Sequence, residues 1–257
     1  MEIVIISLIA FLVSILTFFS GFGLGTIMTP VLMLFFPVEL AIALTGVVHF
    51  FNNVFKLFLV GKNANKAVLL RFGIPAVLAA MLGALILLHI PDVHPLFSYS
   101  LFGKEIEVYP VKFIISLLLI CFALMDLIPA FKNLQFDKSK LPIGGFLSGF
   151  FGGLSGNQGA LRTAFLIKSG LSKEAFIGTA VVVSTFVDFT RLSVYATRIS
   201  SSGLSDNLPL VISATLAAIC GAYLGNILLK KVTLRFLQIV VAIMLLVISL
   251  ALGAGWI

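Results

Sequence analysis

The sequence predicts an all-α, polytopic helical membrane protein with two inverted repeats, each a broken, re-entrant helical hairpin followed by three transmembrane helices. Three observations lead there. Of the 257 residues, 60% are hydrophobic and only 11% charged, against roughly 25% charged in soluble domains. Mean hydropathy is +1.20. The apolar stretches approach or exceed the ~20 residues a helix needs to cross the hydrocarbon, and the alternating strands of a membrane barrel are absent. Finally, the two halves of the chain resemble each other, and each carries a glycine-rich interruption.

The apolar runs are 1–19, 24–36, 40–60, 67–90, 111–131, 142–152, 158–169, 174–197, 207–229 and 233–256. Runs 40–60, 67–90, 111–131, 174–197, 207–229 and 233–256 are long enough to cross. Run 1–19 is borderline. Runs 24–36, 142–152 and 158–169 are too short to cross upright and read as half-helices. Met1-Glu2 leads directly into apolar residues without the basic start of a cleavable signal peptide, so the first run is expected to remain in the fold. Cys121 and Cys220 sit singly in apolar runs and read as small core residues, with no disulfide framework.

Charge orients the spans, because cytoplasmic loops are rich in Lys and Arg. Lys62, Lys66 and Arg71 share one connection. Lys132, Lys138 and Lys140 share another with Asp137; Lys168 and Lys173 a third with Glu174; Lys230, Lys231 and Arg235 a fourth. The alternate connections carry Glu2, Glu39, Asp92, Glu105, Glu107 and Asp206 against Lys104, Lys112 and Arg198. Taking the basic set as cytoplasmic makes 1–36 and 142–169 hairpins that enter and return. Both termini then face the exterior. The formal charge of +7 thus reports topology. It forms no basic patch with interleaved aromatics, so nucleic acid is not an expected partner.

The halves align in several places. GTIMTP (25–30) matches GALRTA (159–164), and VELAIALTGVV (38–48) matches SKEAFIGTAVV (172–182). Asn53 and Lys56 lie over Asp188 and Arg191, and AVLAAMLGA (76–84) over ATLAAICGA (214–222). The expected division is 1–132, a cytoplasmic linker 133–140, and 141–257. An odd number of spans after each hairpin inserts the second half upside down, the arrangement secondary transporters use for alternating access.

On these residues the chain resembles the sulfite exporter TauE/SafE family of permeases. The resemblance rests on GFGLGTIMTPVLMLFFP (21–37), its loose repeat GFFGGLSGNQGALRTAFLIKSGLS (149–172), and the doubled half. It implies a carrier of sulfite, thiosulfate, organosulfonates or related small anions, and a bacterial inner membrane. Asn157-Gln158 interrupts a glycine run that is usually denser in the family.

The stretch GLSGNQGALRTAF (153–165) concentrates polar groups in an apolar half. Non-helical backbone at membrane depth is tolerated only within protein or beside a watery cavity. Helix N-termini there would bind anions through free N–H groups and the dipole. The candidate substrate-binding residues are Gly23, Gly25, Thr26 and Thr29 from the first turn, and Ser155, Gly156, Asn157, Gln158, Gly159 and Arg162 from the second. Ser155 is the expected N-cap of the second short helix. Arg162 offers a planar fork to a sulfonate or carboxylate. The alternative is that the glycines serve close packing and that Arg162 pairs with a carbonyl or snorkels outward beside Lys168.

His49 and Asn53 join the candidates because an intramembrane histidine is a functional candidate by default, though a packing role fits equally. Lys56, Asp188 and Arg191 read as gating or coupling residues, one pair toward each face, or else as interfacial ion pairs. Arg191 lies 18 residues beyond Lys173, ~27 Å along a helix, which sets it toward the exterior end. Ser184 and Thr185 either line the same pocket or bond to helix carbonyls. Asp126 reads as solvated at a helix end rather than as a proton relay. His89 and His94 lack the partners of a metal site, and no cofactor is expected.

The leading function is a secondary transporter for a small anion, with a proton or sodium ion as coupling partner and a homodimer suggested by the frequency of such assemblies. An anion channel and an intramembrane enzyme are the alternatives. The enzyme lacks a nucleophile with a nearby base, and no P-loop supports ATP-driven pumping.

Overall fold

The structure, a computed structural model, describes residues 2–18, 23–90, 94–128, 136–166, 169–197, 203, 205–228 and 234–256. The first half contains α1 (Glu2–Thr17), α2 (Gly25–Leu32), α3 (Val38–Val60), α4 (Lys66–His89) and α5 (Pro110–Leu127). The second contains α6 (Leu141–Ser155), α7 (Gly159–Leu166), α8 (Lys173–Tyr195), α9 (Leu208–Leu228) and α10 (Leu234–Gly253). Among the described residues, four helical stretches are long and apolar enough to cross a membrane: Val38–Asn63, Lys66–His89, Lys173–Tyr195 and Ser205–Ile227. Shorter apolar helices cover Glu2–Thr17, Pro110–Met125 and Ala242–Gly253. The chain is a helical membrane protein.

Local chemistry sets the helix ends. Ser172 Oγ accepts from Ala175 N–H at 3.2 Å and Asn65 Oδ1 from Val68 N–H at 3.1 Å, capping α8 and α4. Pro110 opens α5, where its missing N–H costs nothing. Gly156, at φ +76°, ends α6 in the left-handed region. Within α4, Leu69–Gly73 form a π-helical turn.

Packing pairs the helices in a regular pattern. α1 lies on α9 and α6 on α4; α3 contacts α9 and α8 contacts α4; α3 meets α8 and α5 meets α10. Exchanging α1–α5 for α6–α10 maps every one of these pairs onto another or onto itself. α3 and α8 run antiparallel: Gly178, near the start of α8, packs on Val60 and Ala64 after α3, and Gly46, near the start of α3, packs on Arg191 and Leu192. Gly145, Gly149 and Gly153 of α6 sit directly on the carbonyls of Phe72, Ala76 and Ala80 of α4. A Cβ at any of these glycines would overlap backbone, so this is a small-residue seam of the kind that holds helices together in lipid. Large apolar side chains such as Leu78, Phe186, Phe189, Leu216 and Val247 point outward. Cys121 and Cys220 are also exposed rather than buried in the core as expected, since both fall on outward faces.

The described charged loops separate by end. The glycines at 170 and 178 bring Lys138 and the Lys62–Lys66 connection to the end where α8 begins. Glu39 and Lys112 line a cavity of about 440 Å³ at the other end, with Trp256. Between α4 and α5 the connection is not irregular. It forms an antiparallel hairpin, β1 (Phe97–Leu101) with β2 (Lys104–Val108), turned by Phe102 and Gly103 at positive φ. Tyr99 Oη donates to Ala254 O at 2.7 Å and accepts from Trp256 Nε1 at 2.9 Å, docking the hairpin on the end of α10.

Gly21 and Phe22 of the first glycine turn, Asp92, Lys132, Lys168, Arg198, Lys230 and Lys231 lie outside the described residues, as do linker residues 133–135 and the side chain of Asp126.

Candidate functional site

The two glycine turns meet. A Cβ on Gly25 would lie 3.1 Å from the carbonyl oxygen of Gly156. Thr26 Oγ1 donates to Asn157 Oδ1 at 3.2 Å, joining residues 131 positions apart. Gly23, at φ +82°, presses on His49, and Gly156 on both Thr29 Oγ1 and the Arg191 guanidinium. In α7 the first intrahelical bond runs from Arg162 N–H to Gln158 O at 3.0 Å. The N–H groups of Gly159–Leu161 precede it and have no acceptor within their own helix.

Ser155 does not cap α7. It is the last residue of α6, and its hydroxyl donates to Phe151 O at 2.9 Å while accepting from Asn157 N–H at 3.3 Å. The reason is Gly156: its left-handed backbone closes α6 after Ser155, so the entry to α7 falls to Asn157 and Gln158. Ser148 Oγ then donates to Gln158 O at 3.2 Å and holds that entry against α6.

Asp188 organises the centre. His49 Nδ1 lies 2.6 Å from its Oδ2, and Asn53 Nδ2 donates to the same oxygen at 3.0 Å. Arg191 Nε donates to Oδ1 at 3.0 Å, with Nη2 2.9 Å from that atom. The expected arrangement of two separate pairs, Asn53 with Lys56 and Asp188 with Arg191, one toward each face, is not found. Asp188 does pair with Arg191, but Asn53 and His49 of α3 join that pair where α3 and α8 cross, and Lys56 stands apart from it. Arg191 is 0% exposed and lies inside the protein. Distance along α8 places its Cα, but the turn after α6 folds over it: Gly156 packs on its guanidinium, and Tyr195 Oη, one turn on, donates to Gly153 O at 2.5 Å.

Arg162 is buried, at 3% exposure, and does not snorkel. Its Nη1 donates to Ser184 Oγ. Of the two hydroxyls considered, Ser184 therefore serves the pocket, while Thr185 Oγ1 donates to Val181 O at 2.9 Å. Lys56 is buried with Nζ 5.4 Å above the Phe18 ring. With the Asn52 amide set so that both its ends are satisfied, Lys56 also donates to Asn52 at 3.3 Å. Gly23, Asn53, Lys56, Arg162 and Ser184 line a cavity of about 30 Å³. A water needs ~10–15 Å³, so it holds one or two.

Among the described residues the buried ionic groups are Lys56, Arg162 and Arg191 against Asp188, with His49 beside them. Thr29 Oγ1, Thr45 Oγ1, Asn157 Nδ2 and Arg191 Nη1 are buried without hydrogen-bond partners. A buried excess of positive charge and donors without partners are both costly, and an anion would relieve both. Among the same residues no group of three or more His, Cys, Asp or Glu could hold a metal ion. His89 instead bonds through Nδ1 to Leu85 O at 2.7 Å.

Thr45, Ser148 and Tyr195 went unnoticed in the sequence. The signal was present for two of them: Thr45, His49, Asn52 and Lys56, and Ser184, Asp188, Arg191 and Tyr195, recur at helical spacing along one face each.

The family model for the sulfite exporter TauE/SafE matches residues 6–252. The chain belongs to that family. TauE/SafE proteins are membrane permeases that export sulfite and related anions, and they are transporters rather than enzymes. No curated protein and no solved structure matches the chain.

Proposed function

We propose that this TauE/SafE protein is a secondary transporter of sulfite, a sulfonate or a related sulfur-containing anion, working by alternating access. The anion sits where the two broken helices meet, held by Arg162 with the Asn157 amide, the Thr29 hydroxyl and the N–H groups opening α7. The observation that carries this reading is the buried excess of Lys56, Arg162 and Arg191 over Asp188, with Arg191 against Gly156 where that glycine meets Gly25, and Lys56 and Arg162 on the cavity walled by Gly23. Residues 1–132 and 141–257 are read as inverted repeats. The antiparallel course of α3 and α8 and the exchangeable packing pairs support this. A cavity sized for one or two waters fits a closed conformation that opens to load. The basic end is assigned to the cytoplasm and both termini to the periplasm of an inner membrane, from the charge asymmetry.

Reconstitution tests the proposal. Purified protein in vesicles is expected to carry labelled sulfite, thiosulfate, sulfoacetate or taurine with saturating kinetics. Arg162→Ala should abolish flux while helicity and a monodisperse elution profile survive, and Arg162→Lys should retain part. Normal flux in Arg162→Ala would remove Arg162 as the anion's partner.

A further inference from the structure

The pairing of His49 with Asp188 has a direction. A carboxylate only accepts hydrogen bonds. With Nδ1 at 2.6 Å from Asp188 Oδ2, the ring hydrogen of neutral His49 lies on Nδ1, and the lone pair lies on Nε2. That second nitrogen faces Gly23, where a Cβ would sit 2.9 Å from it, and lies 3.4 Å from the Asn53 amide nitrogen. Gly23 also walls the cavity shared by Asn53, Lys56 and Arg162. The second nitrogen of this buried histidine is thus turned toward Gly23, a wall of that cavity, while the first is anchored on Asp188.

We propose that His49 Nε2 is the proton-binding atom that couples anion movement to a proton, with Asp188 as its positioning partner. This rests on the anion-transport reading above. A proton from solution bonds to the Nε2 lone pair, giving an imidazolium whose Nδ1–H remains on Asp188. The same N–H bond breaks when the proton leaves with the anion on the other side, so one proton and one anion cross together. The surroundings make the two events interdependent. Asp188, Arg191 and Tyr195 face His49 from α8, Arg162 lies across the cavity from α7, and Lys56 stands on its own helix. The described parts of α2 bring no titratable group, and Cys220 and Tyr223 of α9 point outward. The guanidinium groups of Arg162 and Arg191 oppose a further positive charge on His49 until an anion enters, and a protonated His49 favours that anion in return. The coupling is reciprocal by linkage.

The test compares wild type with His49→Gln in vesicles, using whichever of sulfite, thiosulfate or sulfoacetate wild type exchanges fastest. Two rates are read: exchange at equal pH, and accumulation driven by an acid exterior. Wild type should accumulate the anion by up to about tenfold per pH unit. His49→Gln, whatever exchange it retains, should lose the accumulation driven by the pH difference. Accumulation by His49→Gln equal to wild type, or wild-type accumulation indifferent to the pH difference, overturns the coupling role while leaving anion transport standing. Absence of wild-type exchange overturns the transport reading and this inference with it. If His49→Gln neither folds nor exchanges, proton uptake decides. Wild type in weakly buffered detergent, examined stepwise from acid to neutral pH, should take up protons from an indicator dye when thiosulfate is added, and no uptake at any pH overturns the proposal.

Discussion

Asn53 and Asp188 occupy the same position in two 23-residue helices, and they hydrogen-bond to each other at 3.0 Å. The carboxylate of that pair serves three donors, from Asn53, His49 and Arg191. Asp188→Asn leaves Arg191 buried without its counter-charge, and breaking a buried ion pair from one side costs ~3–5 kcal/mol. A fall of that size should be seen in thermal or denaturant unfolding in detergent. The exchanged variant Asn53→Asp/Asp188→Asn returns a carboxylate within reach of His49 and should recover part of the loss. Equal instability of the single and double variants would mean that the Arg191 contact alone matters.

Gly156 combines two constraints. Its φ is +76°, and a Cβ there would lie 2.8 Å from Arg191 Nη1. The left-handed backbone alone costs an alanine ~1–2 kcal/mol, and the guanidinium must also move away from Asp188. Gly156→Ala should therefore lower the unfolding temperature and cut transport severely. Retained flux with only a lowered unfolding temperature would show that the Arg191 position is not needed for transport.

Much of this centre was legible because membrane interiors punish polar groups. Glycines, Asn157, Gln158 and Arg162 in an apolar run had to face protein or a cavity, and they do. The half-helix read at 158–169 is α7, Gly159–Leu166. What stayed hidden depended on neighbours from the other half. The depth of Arg191 along α8 could be counted, but not the turn that folds over it. Ser155 matched the chemistry of an N-cap, yet the sign of one glycine φ assigned it to the preceding helix. The hairpin at 97–108 escaped because two five-residue strands carry little pattern, and their anchor, Tyr99 on Ala254, lies 155 residues away.

The α4–α6 seam separates lack of space from backbone strain. At Gly149 an added Cβ overlaps the Ala76 carbonyl, whereas at Gly103 nothing lies within 4 Å although φ is +77°. Gly149→Ala must push two helices apart along the seam that Gly145 and Gly153 share. It is expected to abolish monodisperse protein. Gly103→Ala should cost only about 1 kcal/mol and leave transport intact. Size-exclusion profiles and flux of the two variants check this, and a well-behaved Gly149→Ala protein would show that the seam can open.

Ser184 and Thr185 are adjacent, and their hydroxyls do different things. Ser184 Oγ takes the hydrogen bond of Arg162 Nη1, while Thr185 Oγ1 is returned to its own helix at Val181 O. Removing a hydrogen bond to a charged group costs ~1.5–3 kcal/mol. Where that bond aims Arg162 at the anion, the loss should appear in KM. Ser184→Ala is expected to raise KM for the transported anion about tenfold or more, with the protein still folded, because the guanidinium keeps its charge but loses its fixed direction. Thr185→Val keeps the shape of the side chain and gives up only a bond within the helix, so it should transport like wild type. Equal effects from the two variants would mean that the hydroxyls merely pack α8, and that Arg162 is held by something other than Ser184.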